Sequence, residues 1–314
     1  NKINNLNKEK NKLKFKNVND ILNFVLLQKY KNYTVLIYCP NSNSNSNEND
    51  NYKKNIFIEN LGKLKLILKY TSINKLILHN NNLGINAKNI EDIFNILTKS
   101  KIKSIDFGFN KFGKCEETIN ILKVLINKGN INIKSLGLES NLIGAYCDSM
   151  KNLMDLINQS DSINELNLEN NYIGWIPKGL KILTDSLMDN INLKKLSLKN
   201  NWLICKNENL NYLKDLLLNN KSIIDLNLGM NEFGTTSEKN KEKIIEMLSN
   251  NNNILYLSLE KNKFEIKRKE NLKFLQTIVS YCKNIKYLNL KDNDLLESDI
   301  EFLKEGRVDI DVII

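Results

Sequence analysis

The sequence predicts an α/β solenoid, built from short parallel strands that each lead into a helix. Three observations predict it. A line of twelve residues recurs eight times, its fixed asparagine returns every 29–31 residues, and a stretch of helical periodicity follows each line. A single such line would be weak evidence; eight in step specify a stacked array.

The lines begin at Ile73, Ile102, Ile133, Ile163, Leu193, Ile223, Ile254 and Ile285, running from INKLILHNNNLG to IKYLNLKDNDLL. Their shared pattern is L-x-x-L-x-L-x-x-N-x-L. The L-x-L portion alternates with period two, so it reads as a short strand with its leucines on one side. The fixed residues are Asn81, Asn110, Asn141, Asn171, Asn201, Asn231, Asn262 and Asn293. Each falls where the backbone leaves the strand, and an Asn side chain offers both an acceptor and donors to the amide groups left there. Gly84, Gly113, Gly144, Gly174 and Gly234 follow three residues later and suit the bend into the next element. Beyond each line, apolar residues fall three and four apart: Ile90, Ile93 and Leu97; Ile119, Leu122 and Ile126; Met150, Leu153 and Ile157; Leu180, Leu183 and Leu187; Leu210, Leu213 and Leu217. These are amphipathic helices with one buried stripe.

On these residues the chain resembles the leucine-rich repeat. A repeat of about thirty residues with a full helix is similar to the ribonuclease-inhibitor-like subfamily rather than to the shorter repeats of extracellular receptors. The resemblance covers most of the chain. It implies a right-handed horseshoe, with parallel strands on the concave face and helices on the convex face.

The ends depart from the pattern, because a terminal repeat has no neighbour to cover its core. Residues 1–32 are expected to form an N-terminal capping segment, with Val18, Ile21, Leu22, Val25 and Leu26 as a helical stripe. Residues 33–72 are read as a degenerate first repeat containing YTVLIYCPN, interrupted by the polar Asn/Ser insertion 41–51. Eight repeats fill 73–296. Residues 297–314 form a C-terminal cap, with Ser298 or Asp299 as helix N-cap, a stop at Gly306, and RVDIDVII as a closing strand.

Composition narrows the function classes. The net charge of +10 would ordinarily raise nucleic-acid binding. Here six lysines against Glu9 crowd the first sixteen residues, and Arg268 and Arg307 are the sole arginines for bidentate contacts. The abundance of Asn, Lys and Ile reads as an A+T-rich genome, so nucleic acid is not expected as a partner. The Asn-x-Ser/Thr matches at Asn32, Asn158 and Asn220 fall to chance in so Asn-rich a chain. Cys39, Cys115, Cys147, Cys205 and Cys282 form no C-x-x-C pair and are expected to be small buried hydrophobes in a reducing compartment. No apolar run reaches the roughly 18 residues of a membrane span. His79 is the one histidine and is expected to be solvated; no phosphate-binding loop or nucleophile constellation accompanies it. The chain is therefore not expected to be an enzyme or to carry a metal or cofactor. An intracellular location, in the cytoplasm, and a monomeric state are expected.

What remains is the displayed surface. Between the leucines, facing the concave side, lie Asp106, Glu139, Glu165 and Glu169, a negative column, then Lys195 and Lys199, then Tyr256 and Tyr287. Around the fixed asparagines lie Phe109, Leu142, Tyr172, Trp202 and Met230, with Trp175 close behind Tyr172. Tyr and Trp are enriched at binding hot spots. Tyr172 and Trp202 are expected to anchor a protein partner, with the acidic column setting its orientation. The expected function is a protein-interaction scaffold or adaptor. The resemblance adds two others: regulation of a small GTPase, as in Ran GTPase-activating proteins, whose strongly acidic tail has no counterpart in the terminal DVII, and a cytoskeletal or axonemal role.

Overall fold

Eight repeats of a three-residue strand motif, each with its central residue buried, set the architecture of the computed structural model. It describes residues 12–15, 35–38, 65, 68 and 73–314, apart from 86, 98, 99, 129–131, 266, 267 and 306. The chain forms two compact units, Asn1–Asn141 and Leu142–Ile314.

In the first unit the strands are β1 (Lys12–Phe15), β2 (Val35–Tyr38), β3 (Lys75–Ile77), β4 (Ser104–Asp106) and β5 (Ser135–Gly137). All are parallel and adjacent in chain order, with Leu76 opposite Ile105 and Ile105 opposite Leu136. Helices α1 (Ala87–Leu97) and α2 (Glu116–Lys128) pack side by side. β1 lies where the sequence suggested only a capping segment; its KLKF alternates with the period of a strand. The stripe expected from Val18 to Leu26 and the insertion 41–51 lie outside the described residues.

The second unit alternates α3 (Cys147–Gln159), β6 (Glu165–Asn167), α4 (Pro177–Leu187), β7 (Lys195–Ser197), α5 (Asn209–Asn219), β8 (Asp225–Asn227), α6 (Glu238–Ser249), β9 (Tyr256–Ser258), α7 (Arg268–Tyr281), β10 (Tyr287–Asn289), α8 (Glu297–Leu303) and β11 (Asp311–Ile313). Strands β6 to β11 are parallel in chain order. Local sequence starts the helices: Pro177 opens α4 with its φ already set, and Ser237 accepts from the Asn240 N–H ahead of α6.

The core of each repeat is a leucine-type ladder. Leu166, Leu196, Leu226, Leu257 and Leu288 are buried at the strand centres, and Leu168, Leu198, Leu228, Leu259 and Leu290 behind them. The helical stripes from Ile90 to Leu217 are buried as well. Each such side chain contributes about 1.5–3 kcal/mol.

The asparagines close the turn that follows each strand. Asn201 Oδ1 accepts from the N–H groups of Asn171 (2.9 Å) and Ile173 (3.3 Å), while Nδ2 donates to the carbonyls of Leu168 (2.8 Å) and Lys199 (3.1 Å). Asn110 does the same in the first unit, from Asn81 N–H (2.8 Å) to the Leu78 carbonyl (2.6 Å). A second set lies at the helix-to-strand turns. Asn220 Nδ2 donates to Leu187 O (2.7 Å) and Asn190 O (3.1 Å), and Asn251 Nδ2 to Leu217 O (2.7 Å).

The residues on either side of each ladder asparagine have left-handed backbone conformation, from Asn80 (φ 59) and Asn82 (φ 52) to Asp292 (φ 58) and Asp294 (φ 50). Phe109, Tyr172 and Trp202 are among them, and none of the sixteen is Val, Ile or Thr. A β-branched side chain clashes most severely in that conformation.

The C-terminal cap differs from the expected one. Helix α8 begins at Glu297, so its N-cap is Leu296 rather than Ser298 or Asp299. Leucine has no side-chain acceptor; instead the Asp299 carboxylate reaches back to the Leu296 N–H (2.7 Å) and also holds Arg268. Gly306 lies outside the described residues.

Arg307 closes the end of α7. Its buried guanidinium donates to the carbonyls of Val279 (2.7 Å), Cys282 (2.9 Å), Lys283 (3.0 Å) and Ile285. These include carbonyls the helix leaves without partners at its C-terminal end. Arg307→Ala is expected to cost about 2–4 kcal/mol in a urea titration, with Arg307→Lys recovering only part of it because an ammonium lacks the planar fork. An unchanged midpoint would rule out this capping role.

Candidate functional site

The sequence-predicted residues fall on both units. In the first, Asp106 meets His79, with Oδ1 2.9 Å from the imidazole Nε2. The carboxylate raises the His79 pKa, while His79 and the Gly108 N–H outweigh burial and lower that of Asp106. Gly137 opposite Asp106 makes room for the pair, since a Cβ there would lie 2.5 Å from Oδ1. Phe109 stands 5.8 Å from the imidazole, ring centre to ring centre. His79 is thus a partly covered ion-pair partner, not the solvated histidine expected. Glu139 also bears on it, as a negative charge that raises its pKa.

In the second unit the expected acidic column is laced with lysine. Lys195 lies between Glu165 (3.4 Å) and Asp225 (4.0 Å), and Lys199 between Glu169 (3.2 Å) and Glu260 (2.6 Å). Burial opposes the Lys199 charge, but its two carboxylates win and raise its pKa. Glu169 is therefore half of a bridge rather than an isolated charge. Glu260 and Asp225 were missed from the sequence. The repeat register holds the signal: Glu260 is two residues before Asn262, as Glu169 and Lys199 are before Asn171 and Asn201.

Tyr256 and Tyr287 are brought together. They are directly opposite in register, and their rings stack at 4.5 Å with 4° between planes. On the rim, Trp202 is 42% exposed and meets Trp175, 55% exposed, edge to face at 5.7 Å. Lys206 stands 5.9 Å over the Trp175 ring. Tyr172 is 38% exposed at the place equivalent to Trp202, one repeat earlier, and Met230 is half-buried beside Asn231.

The cysteine expectation holds for Cys282, whose burial pushes its thiol up to about 12, and fails for Cys205. That exposed thiol donates to the Gly174 carbonyl at 3.1 Å, while Cys115 and Cys147 are half-buried. Cys39 lies outside the described residues. Among the described residues no cluster of three His, Cys, Asp or Glu could hold a metal, and no helix is long and apolar enough to cross a membrane.

Comparison with known proteins bears on the fold. The structure is similar to that of the leucine-rich-repeat protein LegL7 from Legionella pneumophila, with a TM-score of 0.71 and 21% identity, covering 96% of this chain and 89% of that one. This chain has the leucine-rich-repeat fold. A second solved structure, a TLR13–ssRNA13 complex, gives a TM-score of 0.36 at 14% identity over 84% of this chain and 36% of that one, and carries no argument. No family model and no curated protein matches. The leucine-rich-repeat likeness extends to the fold alone and does not separate the ribonuclease-inhibitor-like subfamily from others.

Proposed function

We propose that the chain is a protein-interaction scaffold that holds a partner at the rim of the strand face of the second unit. The observation that carries this reading is the exposed Tyr172, Trp175 and Trp202 group, of which Tyr172 and Trp202 are set on left-handed backbone. Rings left in water at such a place gain most by being covered, and rigid aromatics lose little entropy on binding. Glu169 and Lys199 beside the rim would orient the partner. The free thiols of Cys115, Cys147, Cys205 and Cys282 suit a reducing, intracellular setting.

GTPase regulation by a displayed arginine finds no support, because Arg268 is held by Asp299 and Arg307 is buried in carbonyls. The test is partner capture by the double variant Tyr172→Ala/Trp202→Ala. Capture should fall by about a hundredfold, the scale of two hot-spot side chains, with the far-ultraviolet helical signal intact. Capture equal to that of the unaltered chain would refute the rim as the anchor.

A further inference from the structure

The strand face of the second unit carries a charge opposite to that of the whole chain. Four carboxylates, Glu165, Asp225, Glu169 and Glu260, share two lysines, Lys195 and Lys199, on a protein of net charge +10. Along the first row of that face the register runs from Asp225 to Tyr256, Tyr287 and Asp311. A stacked, exposed tyrosine pair is therefore flanked on both sides by a carboxylate.

The sheet itself sets the stack. Parallel strands lie about 4.8 Å apart, and the rings follow that spacing at 4.5 Å and 4°. With the rings stacked along the row, each presents its outer face to the next residue, Tyr256 toward Asp225 and Tyr287 toward Asp311. Both tyrosines are 41% exposed. Beyond them the surface is polar, since Asn289 Nδ2 donates to Ser258 Oγ (3.1 Å) and Glu260 Oε2 (3.0 Å).

We propose that this row is a docking surface for an arginine-bearing basic protein segment, whose guanidinium lies on the outer face of the tyrosine stack and pairs with Asp225. The inference rests on the protein-interaction reading and specifies its chemistry at a second place on the same unit. Arginine fits better than lysine because its planar, weakly hydrated guanidinium stacks on an aromatic face while its edge donates to a carboxylate. Asp225 has room for a further cation. Burial raises its pKa, Glu165 adds to the rise, and Lys195 at 4.0 Å offsets it only in part. Phosphate-bearing partners meet repulsion from the same carboxylates, and an apolar partner would bury the charges of Asp225 and Asp311 beside the rings without compensating them.

The test titrates the full chain into fluorescein-labelled dodecapeptides in which glycine alternates with arginine, lysine or glutamate, read by anisotropy at about 0.1 M salt. The arginine peptide should bind most tightly, the lysine peptide more weakly, and the glutamate peptide not at all. Tyr256→Ala/Tyr287→Ala and Asp225→Asn should each weaken arginine-peptide binding about tenfold. Tyr281→Ala, an exposed tyrosine at the end of α7, should leave it unchanged. If the alanine pair lowers the helical signal, Tyr256→Leu/Tyr287→Leu keeps the bulk and removes the rings, with the same loss expected. Three results overturn the proposal: no binding of the arginine peptide, equal binding of the glutamate peptide, or arginine-peptide binding indifferent to loss of both rings. None of them bears on the rim anchors, whose own double variant is read in partner capture.

Discussion

Asn201→Ala is expected to cost about 4 kcal/mol or more, a large fraction of the stability of a typical domain. The substitution removes few atoms but strands many. The Asn171 and Ile173 N–H groups lose their acceptor, and the Leu168 and Lys199 carbonyls lose their donor. Asn201 is fully buried, so water cannot replace those bonds without opening the turn. Asn201→Asp should be no better, since it keeps the shape but sets a carboxylate against two carbonyl oxygens. Asn219→Ala provides the comparison, because that exposed side chain makes one hydrogen bond, to the Asp215 carbonyl, and should cost less than about 1 kcal/mol. Urea unfolding of the three variants decides it; equal costs for Asn201→Ala and Asn219→Ala would remove the ladder as a source of stability.

Gly174→Ala should cost about 3 kcal/mol, at the upper end for overpacking. An added Cβ would lie 2.3 Å from the Trp202 carbonyl oxygen and 2.8 Å from the Leu203 Cα, both backbone atoms that cannot swing aside. Relief requires two successive turns to part. The Gly174 N–H donates to Asn201 O (2.8 Å), and its carbonyl accepts from Asn209 Nδ2 (2.8 Å), so parting them strains both bonds. The same approach seats Trp175 against Trp202. Thermal unfolding should show the loss, and tryptophan emission of the folded variant should shift as the edge-to-face contact opens. A variant with wild-type stability and emission would show that the two turns have slack.

Much of the fold was legible because period and position coincide. Leu166, Leu196, Leu226 and Leu257 repeat in the sequence at the step at which they stack in space. The asparagine after each strand was visible for the same reason. Asn190, Asn220 and Asn251 were not, since in a chain so rich in asparagine a second set has no contrast with its background. The N-cap of α8 was misread because Asp299 caps from inside the helix, as the N3 carboxylate, and leaves Leu296 at the boundary. The candidate site was legible as a list and not as contacts. Nothing in the sequence says that Lys199 would bridge Glu169 and Glu260, or that His79 would be held by Asp106. Those depend on side chains one repeat apart meeting across neighbouring strands or, for Lys199 and Glu260, two repeats apart meeting across the repeat that holds Gly229.

The left-handed positions beside each ladder asparagine also bear on how such a chain can be altered. Their conformation is fixed by the asparagine and by neighbouring turns, while side chains such as those of Tyr172 and Trp202 project away from the leucine core. On the proposed reading, stability and rim recognition are written at different letters of the same twelve-residue line. A library varied only at those letters, and confined to residues without a branch at Cβ, would sample new surfaces while leaving the buried scaffold untouched.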